Sequence, residues 1–179
     1  MIKLIHGPMR SGKSEKLIEE IEKAQKSNLR IRCYKPKTDT RSKKIESRNG
    51  KYAECIQVSS FASIYSDLIC FEEETGKIVE RIFIDEVQFI NACGLKIFIK
   101  YALDKDIDVI SSGLNLTNEL VPFESTAKYA MFCDEVEFVK GLCEICNESP
   151  SIFSKCNVDK SSEVLIGDEI YSQTCNKCF

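Results

Sequence analysis

The chain has 179 residues, of which 43% are hydrophobic and 30% charged, with a formal net charge of −3 at pH 7. That is enough chain to bury one ordinary core without staples, with room for a small appendage. The slightly acidic balance speaks against wide nucleic-acid binding, and no run approaches the roughly 20 apolar residues of a membrane span. The apolar stretch that Met1–Ile5 enters is too short for a secretory signal, so the expectation is a cytoplasmic protein with reduced thiols and no membrane partner.

Taken in chain order, residues 2–6 read as a short buried strand, followed by the glycine-bounded stretch 7–12. Residues 13–26 carry Leu17, Ile18 and Ile21 on one face and charges on the other, which predicts an amphipathic helix. Residues 29–34 read as a second strand, and the polar, basic stretch 35–51 as a loop. A helix is expected over 61–71 with Ser59 or Ser60 as its cap, a strand over 78–85 that ends in an acid, and a helix over 91–103. Residues 108–112 read as a strand leading into a loop with Gly113 and Pro122, and 136–139 as a last strand. This alternation predicts an α/β fold with a mostly parallel sheet covered on both faces. Near Gly141 the texture changes: two cysteine pairs follow and no long periodic helix. The expected division is a core over 1–140 and a metal-stapled unit over 141–179.

The charge is uneven. Residues 1–50 hold fourteen Lys/Arg against six Asp/Glu, and the remainder eleven against twenty-two. A basic N-terminal third suits a small polyanion; the plainer reading of Arg41-Ser42-Lys43-Lys44 is a solvated loop.

Gly7-Pro8-Met9-Arg10-Ser11-Gly12-Lys13-Ser14 fits G-x-x-x-x-G-K-[ST], the loop that wraps backbone N–H groups around phosphate oxygens. It lies between a predicted strand and a predicted helix, whose positive end also faces the anion. Lys13 is expected to reach the terminal phosphates and Ser14 to offer its hydroxyl to Mg²⁺. The strand Ile82-Phe83-Ile84 closes on Asp85 and Glu86. Beside a phosphate loop, Asp85 fits a magnesium acid, and Glu86, pointing to the other side, a general base. His6, the single histidine, reads as a packing residue.

Of ten cysteines, Cys33, Cys55, Cys70, Cys93, Cys133 and Cys156 show no paired spacing and read as small buried hydrophobes. Cys143–Cys146 and Cys175–Cys178 are two C-x-x-C pairs with 28 residues between them. Four thiolates in this pattern point to a closed, structural zinc site; disulfides are the rival reading, disfavoured in a reducing compartment.

Together these motifs resemble the thymidine kinase family of bacteria, animals and poxviruses. The resemblance runs over nearly the whole chain. It is carried in order by residues 7–14, Tyr34-Lys35-Pro36-Lys37-Thr38-Asp39-Thr40-Arg41, Ser47-Arg48-Asn49-Gly50, Ile84-Asp85-Glu86-Val87-Gln88-Phe89, Gly113-Leu114 with Pro122-Phe123, and the four paired cysteines. It implies a RecA-like P-loop core with a small C-terminal zinc domain and a lid, or lasso, loop, assembled as a homotetramer. It also implies transfer of the γ-phosphoryl of ATP to the 5′-hydroxyl of thymidine, with Mg²⁺ and structural Zn²⁺. By position Glu86 matches the base, Asp85 the magnesium acid, Arg41 the residue that stabilises charge at the transferred phosphoryl, and Asp39 its motif partner. Met9, Gln88, Phe89, Leu114, Phe123, Gly167 and Tyr171 match the nucleoside pocket and its lid, and thymidine triphosphate is the implied feedback inhibitor.

The sequence departs from the family's pattern in four places. Arg10 stands where Phe or Tyr is usual; the Thr and Arg expected after the first cysteine pair are absent from Pro150-Ser151-Ile152-Phe153-Ser154-Lys155. Ile166 precedes a single Gly167 in the lid, and Asn176 replaces an Arg between the last two cysteines. Readings that compete with the nucleoside kinase are a P-loop ATPase acting on nucleic acid, a related nucleoside kinase with altered base preference, and a zinc protein that keeps the nucleotide fold only for binding.

Overall fold

The computed structural model describes residues 1–39, 42–157 and 170–179. In chain order its strands are β1 (Ile2–Gly7), β2 (Ile31–Pro36), β3 (Ile45–Glu46), β4 (Tyr52–Ala53), β5 (Ile56–Val58), β6 (Arg81–Ile84), β7 (Asp108–Leu114) and β8 (Glu135–Phe138). The helices are α1 (Lys13–Lys26), α2 (Phe61–Thr75), α3 (Leu95–Asp104) and α4 (Glu124–Ala130). Six strands form one sheet in the order β5-β2-β6-β7-β1-β8, and every neighbouring pair is parallel. One strand, β7, thus separates the strand that feeds the phosphate loop from the strand that leads into Asp85.

The two-residue period of a strand decides which residue meets which layer. Leu4, Ile82, Ile84 and Val109 pack with Phe61, Ile64, Leu68, Phe98 and Ala102 of α2 and α3. Their neighbours Ile5, Phe83 and Ile110 pack with Leu17, Ile18, Ile21 and Ala24 of α1. The sheet is therefore covered on both faces, as near-continuous apolar strands require.

Helix ends follow local chemistry. α1 starts directly after Gly12, which sits at φ 90°. Ser60 caps α2 in a reciprocal box with Ser63, and Gly76 ends the helix in the left-handed conformation. The predicted helix over 91–103 begins only at Leu95. Asn91 is held outside it, its N–H donating to Ser59 and its carbonyl accepting from Phe61. The stretch 35–51 is not all loop: β3 pairs antiparallel with β4, and this hairpin packs on α1.

Beyond β8 come two small antiparallel pairs, β9 (Gly141–Leu142) with β10 (Pro150–Ser151) and β11 (Phe153–Cys156) with β12 (Tyr171–Thr174). Of the six cysteines outside the two C-x-x-C motifs only Cys33 is buried; Cys55, Cys133 and Cys156 are half-buried, and Cys70 and Cys93 are exposed. For Cys70 the reason is helical phase: it lies two residues, about 200° around α2, from the buried Leu68. No helix among the described residues is long and apolar enough to cross a membrane.

Candidate active site

The phosphate loop joins the end of β1 to the start of α1. It passes so close to the neighbouring chain at its entry that a Cβ on Gly7 would lie 2.1 Å from the Val139 carbonyl oxygen. Lys13 is buried and its ammonium donates to the Pro8 carbonyl at 2.6 Å, arching over the loop from inside. Ser11 is buried as well. Met9 donates its backbone N–H to the Ser154 hydroxyl at 2.8 Å, and Arg10 reaches Glu144 at 2.9 Å.

Asp85 follows β6 and is buried, its backbone N–H tied to the Tyr34 carbonyl at 2.9 Å. Burial, and then the adjacent Glu86 charge, push its carboxyl up to about 6. The Ser112 hydroxyl, which donates to it, and the Glu86 backbone N–H pull in the opposite direction. Ser14 Oγ lies 3.4 Å from each Asp85 carboxylate oxygen. The paired hydroxyl and buried carboxylate fit a hard cation such as Mg²⁺, which takes oxygen donors.

Glu86 takes the left-handed conformation at φ 51°, so the chain turns sharply after β6. Its carboxylate accepts from the Gln88 side-chain amide, whose oxygen accepts from the Leu114 N–H at 3.0 Å. Gly113 makes this possible: a Cβ there would fall 2.6 Å from Val87 Cγ1 and 2.9 Å from Gln88 Oε1.

These groups border one cavity of about 590 Å³, within the usual range for small-molecule sites. Gly12, Lys13 and Ser14 line one part of it, Asp85 and Glu86 another, and Phe89, Leu114, Phe123 and Tyr171 a third. Phe89 and Phe123 meet edge to face at 5.9 Å. Met9 and Arg10 also face the cavity, whereas Gln88 does not line it and instead braces Glu86 and Leu114. Arg41 and Gly167 lie outside the described residues, as does Ile166.

Sequence reasoning missed several members. Ser112 holds Asp85 and carries no motif; its signal was only a hydroxyl at the end of a strand beside the acidic one. Buried Lys35 pairs with Asp39 at 2.9 Å and donates to the Ser42 and Lys44 carbonyls at 2.7 and 3.1 Å, anchoring both sides of the basic loop. Asn49 at the β3–β4 turn donates to Glu15 of α1 at 2.7 Å, which brings Arg48 and Asn49 to the cavity.

The four paired cysteines converge, with all Sγ atoms within 4.8 Å of one another and Cys146 Sγ 4.0 Å from Cys175 Sγ. Tetrahedral zinc with bonds of about 2.3 Å sets its sulfurs about 3.8 Å apart, so the cluster fits that ion. The Cys146 backbone N–H is the largest influence holding the Cys143 thiol down to about 6, whereas burial pushes the Cys178 thiol up to about 12, so the cluster gives up its protons unevenly and a metal must displace those that remain.

A profile of the family described as "Thymidine kinase" matches residues 1–179. The chain belongs to the thymidine kinase family. Similar proteins include the thymidine kinase of Pseudothermotoga lettingae, 31% identical over 98% of this chain and 92% of its own length. That of Mycoplasma mobile is 32% identical over 99% of this chain and 86% of its own, and one from Bacteroides fragilis is 30% identical with the same coverage. The protein is accordingly an enzyme of nucleotide salvage, a transferase that phosphorylates nucleosides.

Proposed function

We propose that this protein moves the γ-phosphoryl group of ATP to the 5′-hydroxyl of thymidine. The observation that carries this reading is that the phosphate loop, the two acids and an aromatic-walled recess open into one cavity. In it, Glu86 accepts the hydroxyl proton as the oxygen attacks the γ-phosphorus, and the bond to the β-phosphate oxygen breaks with ADP as leaving group. Lys13 and the loop N–H groups hold the β- and γ-phosphates in line, and Arg41 is assigned to the charge that develops on the transferred group. Magnesium, held through Ser14 and Asp85, supplies further neutralisation of phosphate charge when bound.

Phe89, Phe123 and Leu114 provide apolar walls for a pyrimidine, with Tyr171 and Met9 closing its sides and Gly167 assigned to the lid. Four thiolate ligands leave zinc no open position, so its role is structural, stapling residues 141–179 as a unit against the core of residues 1–140. Family membership supports a homotetramer, a cytoplasmic location and inhibition by thymidine triphosphate, nucleoside in the recess and phosphates in the loop. The test is transfer of labelled γ-phosphate from ATP to a panel of nucleosides. Thymidine 5′-monophosphate is the expected main product; labelled product from another nucleoside but not from thymidine overturns the substrate, and ATP consumption without any labelled nucleoside overturns the reaction.

A further inference from the structure

The phosphate loop and the cysteine knuckle are far apart in sequence but share an ion pair. Arg10, in the middle of the loop, donates to Glu144 at 2.9 Å, and Glu144 lies between the first two cysteines. The pair is partly solvated, its side chains 23% and 32% exposed, so its importance lies in what the carboxylate joins and not in the strength of the ion pair alone. The second Glu144 oxygen accepts the Gln173 backbone N–H at 3.1 Å, and the Glu144 N–H donates to the Gln173 carbonyl at 2.9 Å. Gln173 is two residues before Cys175 and two after Tyr171. One carboxylate thus spans the phosphate loop, the knuckle and the strand that carries Tyr171.

The loop side of this joint is held by design of its backbone. Arg10 sits at φ 62°, in the left-handed region that a residue with a Cβ disfavours. A favourable partner for its side chain is what such a conformation needs in order to persist. The adjacent Met9 N–H is engaged from the same quarter, by Ser154 of β11. On the far side, Gln173 is locked in turn: its side-chain oxygen accepts from Ser151, which also accepts the Gly141 N–H at 3.0 Å. A Cβ on Gly141 would come within 1.9 Å of that Gln173 oxygen, so strand and knuckle are in direct contact.

Resting on the reading that the cysteines hold zinc and the loop holds ATP, we infer that Arg10 and Glu144 are positioning residues that couple the two sites. Metal binding fixes the Cys143–Cys146 turn, the turn fixes the Glu144 carboxylate, and the carboxylate holds Arg10 and with it the phosphate loop in its ATP-receiving shape. Linkage requires the effect to run both ways: ATP in the loop must raise the affinity of the knuckle for zinc.

The experiment is a double-mutant cycle on the full-length, zinc-loaded protein, with Arg10→Ala, Glu144→Gln and the pair. Zinc content and ATP binding of the unaltered protein are measured first; a deficit in either refutes the underlying reading and the coupling with it. Two quantities then follow: the dissociation constant of a fluorescent ATP analogue with Mg²⁺, and the zinc affinity from equilibrium competition with a chromogenic chelator, with and without ATP. Each single change is expected to weaken ATP binding roughly threefold to tenfold, with the double variant little worse than either single one. ATP is expected to raise zinc affinity in the unaltered protein by the same roughly threefold to tenfold factor and to lose most of that effect in every variant. Weaker ATP binding in Arg10→Ala alone, with Glu144→Gln unchanged, overturns the inference and makes Arg10 a direct phosphate contact. Zinc affinity indifferent to ATP in the unaltered protein overturns it as well.

Discussion

Ser112, from the strand that separates the phosphate-loop strand from the acidic strand, donates its hydroxyl hydrogen bond to the buried Asp85 carboxylate. Desolvation favours the neutral acid, and this bond is one of the few groups that favour the ionised form. Ser112→Ala is therefore expected to raise the magnesium concentration needed for half-maximal rate by about tenfold, the order of a hydrogen bond to a charged group. Circular dichroism should remain that of the parent, since the change removes only an oxygen. Rates measured against magnesium decide it, and an unchanged requirement removes Ser112 from the role.

Glu86→Gln tests the base. Gln88 already presents its amide nitrogen to Glu86 and its oxygen to Leu114, so a glutamine oxygen at position 86 can still accept that bond. The left-handed backbone at this position treats the two side chains alike. Turnover is expected to fall by about 10²–10⁴-fold, the usual contribution of a general base, with the ATP analogue bound as before. A parental rate would place the base elsewhere.

Much of this site was legible because its parts carry strong local signals. The phosphate loop needs glycine, lysine and serine at fixed spacing, and α1 was readable to both ends because charges flank a clear apolar stripe. The β3–β4 hairpin was not, since two-residue strands such as Ile45–Glu46 are too short to show alternation. Asn91 looked helical from the apolar periodicity that follows it, but Gly94 approaches the Ala62 backbone so closely, 2.6 Å from a would-be Cβ, that α3 starts only after this contact. Ser112, Lys35 and Glu144 were invisible as site residues for another reason: each acts through a partner distant in sequence, which only the fold brings near.

His6 supplies a pH signature. Burial, and then the Lys13 charge, hold its pKa below the ordinary 6.5, and it packs edge-on against Phe138 at 5.0 Å. In the unfolded chain the imidazole protonates near its ordinary value, while in the folded protein it resists. The unfolded state then binds more protons, so this contribution to stability is present above pH 6.5 and is lost as pH falls below it. Melting temperatures measured from pH 7.5 to 5 should decline less steeply in His6→Gln than in the parent. Parallel curves would show that His6 does not titrate differently on folding.

Cys175→Ser removes one of four converging thiolates, and metal analysis is expected to find the variant without zinc. Tyr171 begins the strand that runs into Cys175, so the nucleoside wall loses its anchor and the thymidine KM should rise strongly. The ATP requirement should rise less, by at least the amount expected for Glu144→Gln, because the cysteine-bearing unit holds the phosphate loop through Glu144 on Arg10 and Ser154 on the Met9 N–H. A variant that retains one zinc per chain would show the ligand set to be wrong.

Gly113→Ala probes the close packing that aligns base and nucleoside. The added methyl would meet the Val87 side chain at 2.6 Å and the Gln88 oxygen at 2.9 Å. Both lie in a buried turn, and overpacking of this kind costs about 1–3 kcal/mol. The same Gln88 oxygen accepts from Leu114, so relief of the clash breaks that bond and releases the amide that orients Glu86. The expected result is a lower melting temperature together with a reduced kcat and a raised thymidine KM, while ATP analogue binding stays near parental because Lys13 and the loop are untouched. A loss of stability with normal thymidine kinetics would mean that Gln88 can move without disturbing Glu86.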